Sequence, residues 1–192
     1  MPSAVLLGAS AVQMVAGGTL GPITVAYETW GRLSPTADNA VLVCHALTGD
    51  SHAAGPAGHG HPQLGWWNPI IGPGRAIDTV RYFVVCPNVL GGCQGTTGPA
   101  SIDPATGRPY GASFPVTTIL DQVAVEAALA DRLGIERWAA VVGGSMGGMQ
   151  ALSLAANWPH IAARVLPISA TAWRAGDIGV RLSGARAAVD TE

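Results

Sequence analysis

Three quarters of the way along the chain, Gly143-Gly144-Ser145-Met146-Gly147-Gly148 follows the apolar pair Val141-Val142 and precedes a run holding Met149, Leu152 and Leu154. The spacing is G-x-S-x-G between a strand-like and a helix-like segment, the context in which a serine sits on a sharp bend with its hydroxyl presented outward. Such a bend is strained, and small neighbours let the chains approach. The helix that starts at Met146 would aim its free N–H groups at the hydroxyl, where negative charge develops during attack on a carbonyl. The chemistry is acyl transfer with Ser145 as nucleophile.

An oxyanion needs a second donor. Cys44-His45-Ala46-Leu47-Thr48-Gly49-Asp50 closes an earlier apolar run. In folds built on such an elbow, the loop after an early strand supplies that second N–H. The backbone N–H of Leu47 is the candidate, paired with that of Met146. His45 has two readings here: it opens a donor loop, or it merely hydrogen-bonds backbone at a strand-to-loop turn.

These residues need a scaffold. Ile23–Trp30 alternates Ile, Val and Tyr with Thr, Ala and Glu, as a half-buried strand does. Ala40–Cys44, Tyr82–Cys86 and Trp138–Val142 are apolar on both faces, with Arg164–Ile168 a weaker fourth run because Pro167 cannot donate to a ladder. Runs of that kind read as parallel strands covered by helices. Val116, Ile119, Leu120, Val123, Ala127, Ala130 and Leu133 recur at helical spacing, with Pro115 suited to a first turn and Gly134 to the stop. Asp121 reads as a cap near Thr118. A second helix follows Ser145 and halts before Pro159. The grammar is α/β.

Composition narrows the options. Charged residues are only 11% of the 192, against about 25% in ordinary soluble domains, and ten basic residues stand against twelve acidic ones. Nothing in that balance attracts a polyanion, so no nucleic-acid partner is expected. All ten basic residues are Arg, which excludes the P-loop lysine and any Schiff base from this chain. No stretch of 18 apolar residues suggests a membrane span. Met1 to Ala16 lack the basic start of a secretory signal. Cys44, Cys86 and Cys93 form no C-x-x-C pair and read as free thiols, which fits a reducing cytoplasm.

Several motifs in order resemble one family. Tyr27-Glu28-Thr29-Trp30-Gly31, His45-Ala46-Leu47-Thr48-Gly49, Trp67-Asn68-Pro69, the stretch from Asn88 to Pro99, and Gly143 to Gln150 are similar to homoserine O-acetyltransferases of the α/β-hydrolase type. The resemblance runs from about Ile23 to Ala172. It implies an α/β-hydrolase fold, here an incomplete, mostly parallel sheet with flanking helices. It implies transfer of an acetyl group from acetyl-CoA, a co-substrate rather than a cofactor, to the hydroxyl of L-homoserine in methionine synthesis. The implied mechanism is ping-pong: Ser145 is acylated, CoA leaves, and homoserine takes the acyl group. The resemblance also suggests homodimers.

A base for Ser145 is expected in the order Ser, Asp or Glu, His. After Ser145 the chain offers one histidine, His160, and the acids Asp177, Asp190 and Glu192, in the wrong order. The expectation is therefore residues 1–172 as the N-terminal part of one domain, a divergent, poorly ordered tail over 173–192, and no triad Asp or His in this chain. Alone, such a truncated chain would lack turnover. The alternatives are a succinyl donor or serine acceptor, a plain serine esterase, and a non-catalytic remnant.

Gly49 to Gly65 reads as one long functional loop. His52, His59 and His61 crowd it, but their spacing fits no helical ligand pair and only Asp50 lies near in sequence. The reading is a solvated or pocket-rim loop, with no metal. The glycines at 91, 92, 95 and 98 hold no G-x-G-x-x-G and so make no phosphate cradle; the family resemblance implies a substrate-tunnel loop there. Trp66 and Trp67 line a pocket or plug the core.

Overall fold

A computed structural model describes residues 3–6, 11–58 and 60–171. The tail expected at 173–192, with its three acids, and His59 lie outside the described residues. Six strands form the main sheet: β1 (Ser3–Leu6), β2 (Thr24–Trp30), β3 (Ala40–Cys44), β4 (Phe83–Pro87), β5 (Ala140–Gly144) and β6 (Val165–Ile168). Their spatial order is β1-β2-β4-β3-β5-β6. The pairings of β1 with β2 and β2 with β4 are antiparallel, whereas β4–β3, β3–β5 and β5–β6 are parallel. The sheet is thus mixed, with its parallel half carrying the elbow.

Each apolar run predicted as a strand is one, shifted by at most two residues. The largest shift is at β5, which starts at Ala140. Trp138 instead makes a single bridge to Ala162 and is fully buried. Pro167 is tolerated because β6 is an edge among the described strands and Arg164 and Ile168, not Pro167, exchange hydrogen bonds with the β5 side. Strand β1 was not expected: its residues sit in a segment that reads only as small and apolar.

The first helix, α1 (Ile119–Arg132), starts later than Pro115 suggested. Thr118 is the reason. Its backbone N–H donates to Asp121 Oδ2 at 2.7 Å and its Oγ1 accepts from the Asp121 N–H at 3.3 Å, a reciprocal capping box that fixes the start. Val116, expected on the apolar face, is 69% exposed. At the other end Gly134 takes φ +69°, a left-handed stop that glycine adopts without penalty. The second helix, α2 (Met146–Asn157), begins directly after Ser145.

Strand alternation splits the core in two. Ala40, Leu42 and Cys44 of β3 pack with Val85, Val141, Ile119, Val123, Leu129 and Leu154, beneath α1 and α2. Val41 and Val43 face the other way, with Val84, Cys86 and Val142. That second face is not covered by a helix among the described residues. It is covered by Ala53, Ala54, Trp66, Trp67 and Ile71 from the segment after β3. The long loop is therefore a structural layer, and Trp66 and Trp67 pack half-buried against this core.

Candidate active site

Ser145 stands between β5 and α2 with φ 55° and ψ −119°, a backbone conformation that side chains other than hydrogen rarely take. The strain is held from several sides. The Ser145 N–H donates to Ile168 O at 2.9 Å, and its carbonyl accepts the first bond of α2 from Met149 N at 3.0 Å. The side chain is exposed, and Met146 behind it is buried.

The glycines around it explain the motif. A β-carbon on Gly143 would lie 2.3 Å from the Gly147 carbonyl carbon, and one on Gly147 would lie 2.0 Å from Cys44 O. On Gly148 it would come within 2.5 Å of the Ala170 β-carbon. Strand, helix and the end of β3 approach one another only because these positions lack side chains. Gly144 has open space around it and is the free position of the motif.

The loop after β3 is held at both ends. His45 is buried; its Nδ1 lies 2.7 Å from Ala46 O, and its Nε2 accepts the Val89 N–H at 3.0 Å. Those roles fix the proton on Nδ1. Burial also lowers the pKa of this imidazole, which keeps it neutral. His45 thus hydrogen-bonds backbone on both sides, and it does so at the start of the loop that carries Leu47. Gly49 N donates to Ala46 O at 2.8 Å and closes a tight turn around Leu47. Neither the Leu47 nor the Met146 N–H has a hydrogen-bond partner among the described residues.

Further along, Glu28 of β2 meets the long loop. Its Oε1 accepts from Ser51 Oγ at 3.2 Å, and its Oε2 lies 2.9 Å from His52 Nδ1. His61 Nε2 comes to 2.9 Å of Oε1 without hydrogen-bond geometry. The rings of His52 and His61 stack 4.0 Å apart at 6°. The loop histidines therefore have a carboxylate neighbour that sequence spacing did not reveal, because it arrives from a strand 24 residues away from His52. A second missed acid is Glu126 of α1, fully buried, with Cys44 Sγ 3.9 Å from its Oε2. Burial pushes its carboxyl up to about 8. Its position three residues after Val123 and four before Ala130 placed it on the buried face. His160 is exposed just past α2, and no histidine or carboxylate is hydrogen-bonded to Ser145 Oγ among the described residues.

The glycines at 91, 92, 95 and 98 lie in a segment stitched to β2. Thr96 Oγ1 accepts the Ala26 N–H at 3.0 Å, and Thr97 Oγ1 accepts that of Thr24 at 2.9 Å. Cys44 and Cys86 are buried free thiols, and Cys93 is exposed. No helix among the described residues is long and apolar enough to cross a membrane.

Comparison with known proteins agrees with this geometry. A family model described as the alpha/beta hydrolase fold matches residues 39–177. A homoserine O-acetyltransferase of Leifsonia xyli is 63% identical over 163 residues, covering 85% of this chain and 40% of the relative. The crystal structure of a homoserine O-acetyltransferase from Bacillus anthracis matches with TM-score 0.79 at 38% identity, over 86% of this chain and 45% of that one. That of esterase E22 matches with TM-score 0.75 at 39% identity, over 84% and 46%. The chain thus spans less than half the length of each.

Proposed function

The chain belongs to the α/β-hydrolase fold family, and from that premise we propose that it forms the acyl-accepting part of a homoserine O-acetyltransferase. The observation that carries the reading is Ser145 at φ 55° on the bend between β5 and α2. Its hydroxyl is exposed, and two unpartnered N–H groups, Leu47 and Met146, belong to elements that meet where Gly147 touches Cys44 O.

In the first step Ser145 Oγ attacks the thioester carbonyl of acetyl-CoA. The Oγ–C bond forms, negative charge moves to the carbonyl oxygen under the two N–H donors, and collapse expels the CoA thiolate. The hydroxyl of L-homoserine then attacks the acyl-serine, forms O-acetyl-L-homoserine and returns Ser145. A base expected from the length of the relatives that this chain does not span takes the Ser145 proton and passes it to the leaving CoA sulfur, then takes the homoserine hydroxyl proton and returns it to Ser145 Oγ. The 63% identity to a homoserine O-acetyltransferase supports this choice of acceptor, and methionine synthesis is the proposed setting.

A second reading has its own support, since an esterase is as similar in structure as a transferase. There water replaces homoserine as acceptor. One experiment separates the two. Residues 11–171 replace the matching segment of the Leifsonia xyli relative, and the purified chimera receives acetyl-CoA and L-homoserine. The proposal expects O-acetylhomoserine, lost on Ser145→Ala. Free acetate alone would favour the esterase, and an active Ser145→Ala would refute both.

A further inference from the structure

We propose that Glu28 is a positioning residue for the oxyanion donor of Leu47, acting through Ser51 and His52; the inference rests on the acyl-transfer reading of Ser145. The segment that carries Leu47 leaves β3 at Cys44 and must return to the molecule. His45 anchors its start, held between Ala46 O and Val89 N–H. Its far end has a different anchor. Ser51 is fully buried and donates to Glu28 Oε1, while His52, 8% exposed, donates from Nδ1 to Glu28 Oε2. A carboxylate accepting two neighbouring donors in a half-buried place is stronger and more directional than two neutral bonds. Between these anchors lie five residues, Ala46 to Asp50, with Leu47 exposed among them.

The rest of the local network serves the same end. Asp50 Oδ1 accepts the His52 N–H at 2.8 Å, and Asp50 O accepts from Trp66 Nε1 at 3.0 Å. His52 O accepts the Trp66 N–H at 3.3 Å, which ties the far end to the layer covering β3 and β4. Without Glu28 those bonds hold the loop to itself and to Trp66, but no charged group fixes it to the sheet. A donor displaced by about 1 Å can cost a factor of about a hundred in rate.

A metal ion is the competing use of Glu28, His52 and His61, whose ligand atoms lie within 4.8 Å of one another. The ring geometry opposes it. An ion binds in the plane of each imidazole, and two planes 6° from parallel with centroids 4.0 Å apart share no point at bonding distance. The stack instead lays His61 over His52 as a lid on the carboxylate.

The test uses Glu28→Gln, Glu28→Ala and Ser51→Ala in three measurements, hydrogen exchange and the His52 tautomer in the 192-residue chain and acetylation in the chimera with the Leifsonia xyli relative. In amide hydrogen exchange, Gly49 and Ala53 should exchange at least about tenfold faster in Glu28→Gln and faster still in Glu28→Ala, while Val123 and Leu129 in α1 hold their rates. Acetylation of Ser145 by p-nitrophenyl acetate, followed by peptide mass, should slow about tenfold or more in Glu28→Gln, with Ser51→Ala intermediate. The His52 nitrogens should report the Nδ1–H tautomer in the parent and lose it in Glu28→Ala. Unchanged exchange at Gly49 and Ala53 overturns the proposal. So does faster exchange with an unchanged acetylation rate, since Glu28 would then be merely structural. A parent chimera unreactive at Ser145, with exchange still responding to Glu28→Gln, supports the pinning and refutes the acyl-transfer reading instead.

Discussion

The carbonyl oxygen of Cys44 occupies the place that a β-carbon on Gly147 would take, only 2.0 Å from it. Through this approach the end of β3, which launches the Leu47 loop, is locked to the first turn of α2, which follows Ser145. The two halves of the candidate oxyanion site are therefore positioned by backbone against backbone.

Gly147→Ala should accordingly be severe. No flexible side chain can yield, so the helix must shift, at a cost of at least about 2–3 kcal/mol by the usual penalty of overpacking. Urea unfolding of Gly147→Ala beside Gly144→Ala checks this. Gly144 has open space around it, and its variant should stay within about 1 kcal/mol of the parent.

Strain at Ser145 predicts the opposite sign. At φ 55° and ψ −119° a glycine is at ease and a serine is not. Ser145→Gly should raise stability by about 1 kcal/mol while removing all acyl transfer. Thermal melts of Ser145→Gly and Ser145→Ala distinguish relief of backbone strain from loss of the hydroxyl, because only the glycine variant should gain.

How far the sequence foretold this site follows from which groups are local. The elbow was legible because all its parts lie within six consecutive residues, where turn chemistry and flanking apolar runs agree. The capping role of Asp121 was legible for the same reason. Glu28 was visible only as the polar face of an alternating strand; its partners Ser51 and His52 reach it through tertiary pairing of a loop that has no period to read. The covering of the second sheet face by that loop was missed likewise, since an apolar run announces burial without naming what buries it.

The capping box should be measurable by itself. Thr118→Ala removes the acceptor for Asp121 N–H and should cost about 1 kcal/mol. Asp121→Ala should cost more, because the Asp121 carboxylate also accepts the Val15 N–H at 2.9 Å and the Thr118 N–H at 2.7 Å. Denaturant midpoints of both variants test the order.

Glu126 gives a pH dependence of defined sign. Its folded pKa, raised to about 8 from the ordinary 4.5, means that the folded chain keeps a proton the unfolded chain has released. That contribution is fully present below pH 4.5 and is lost as pH rises toward 8. Glu126→Gln should flatten this part of the profile and make the chain more stable than the parent at pH 8, by an amount on the order of a kcal/mol or more. Unfolding free energies between pH 5 and about 8.5 decide it, and a parallel decline in Glu126→Gln would count against a buried neutral acid.

The central claim is that the hydroxyl of residue 145 accepts an acyl group, and peptide mapping tests it most directly. The chimera that carries residues 11–171 in the Leifsonia xyli relative is exposed to p-nitrophenyl acetate, quenched and digested, and its peptides are weighed. The account predicts one acetyl group on the peptide that contains Ser145, absent in Ser145→Ala. An unmodified Ser145 in a chimera that carries the relative's own base, with acetyl found only on Cys93 or nowhere, would contradict it.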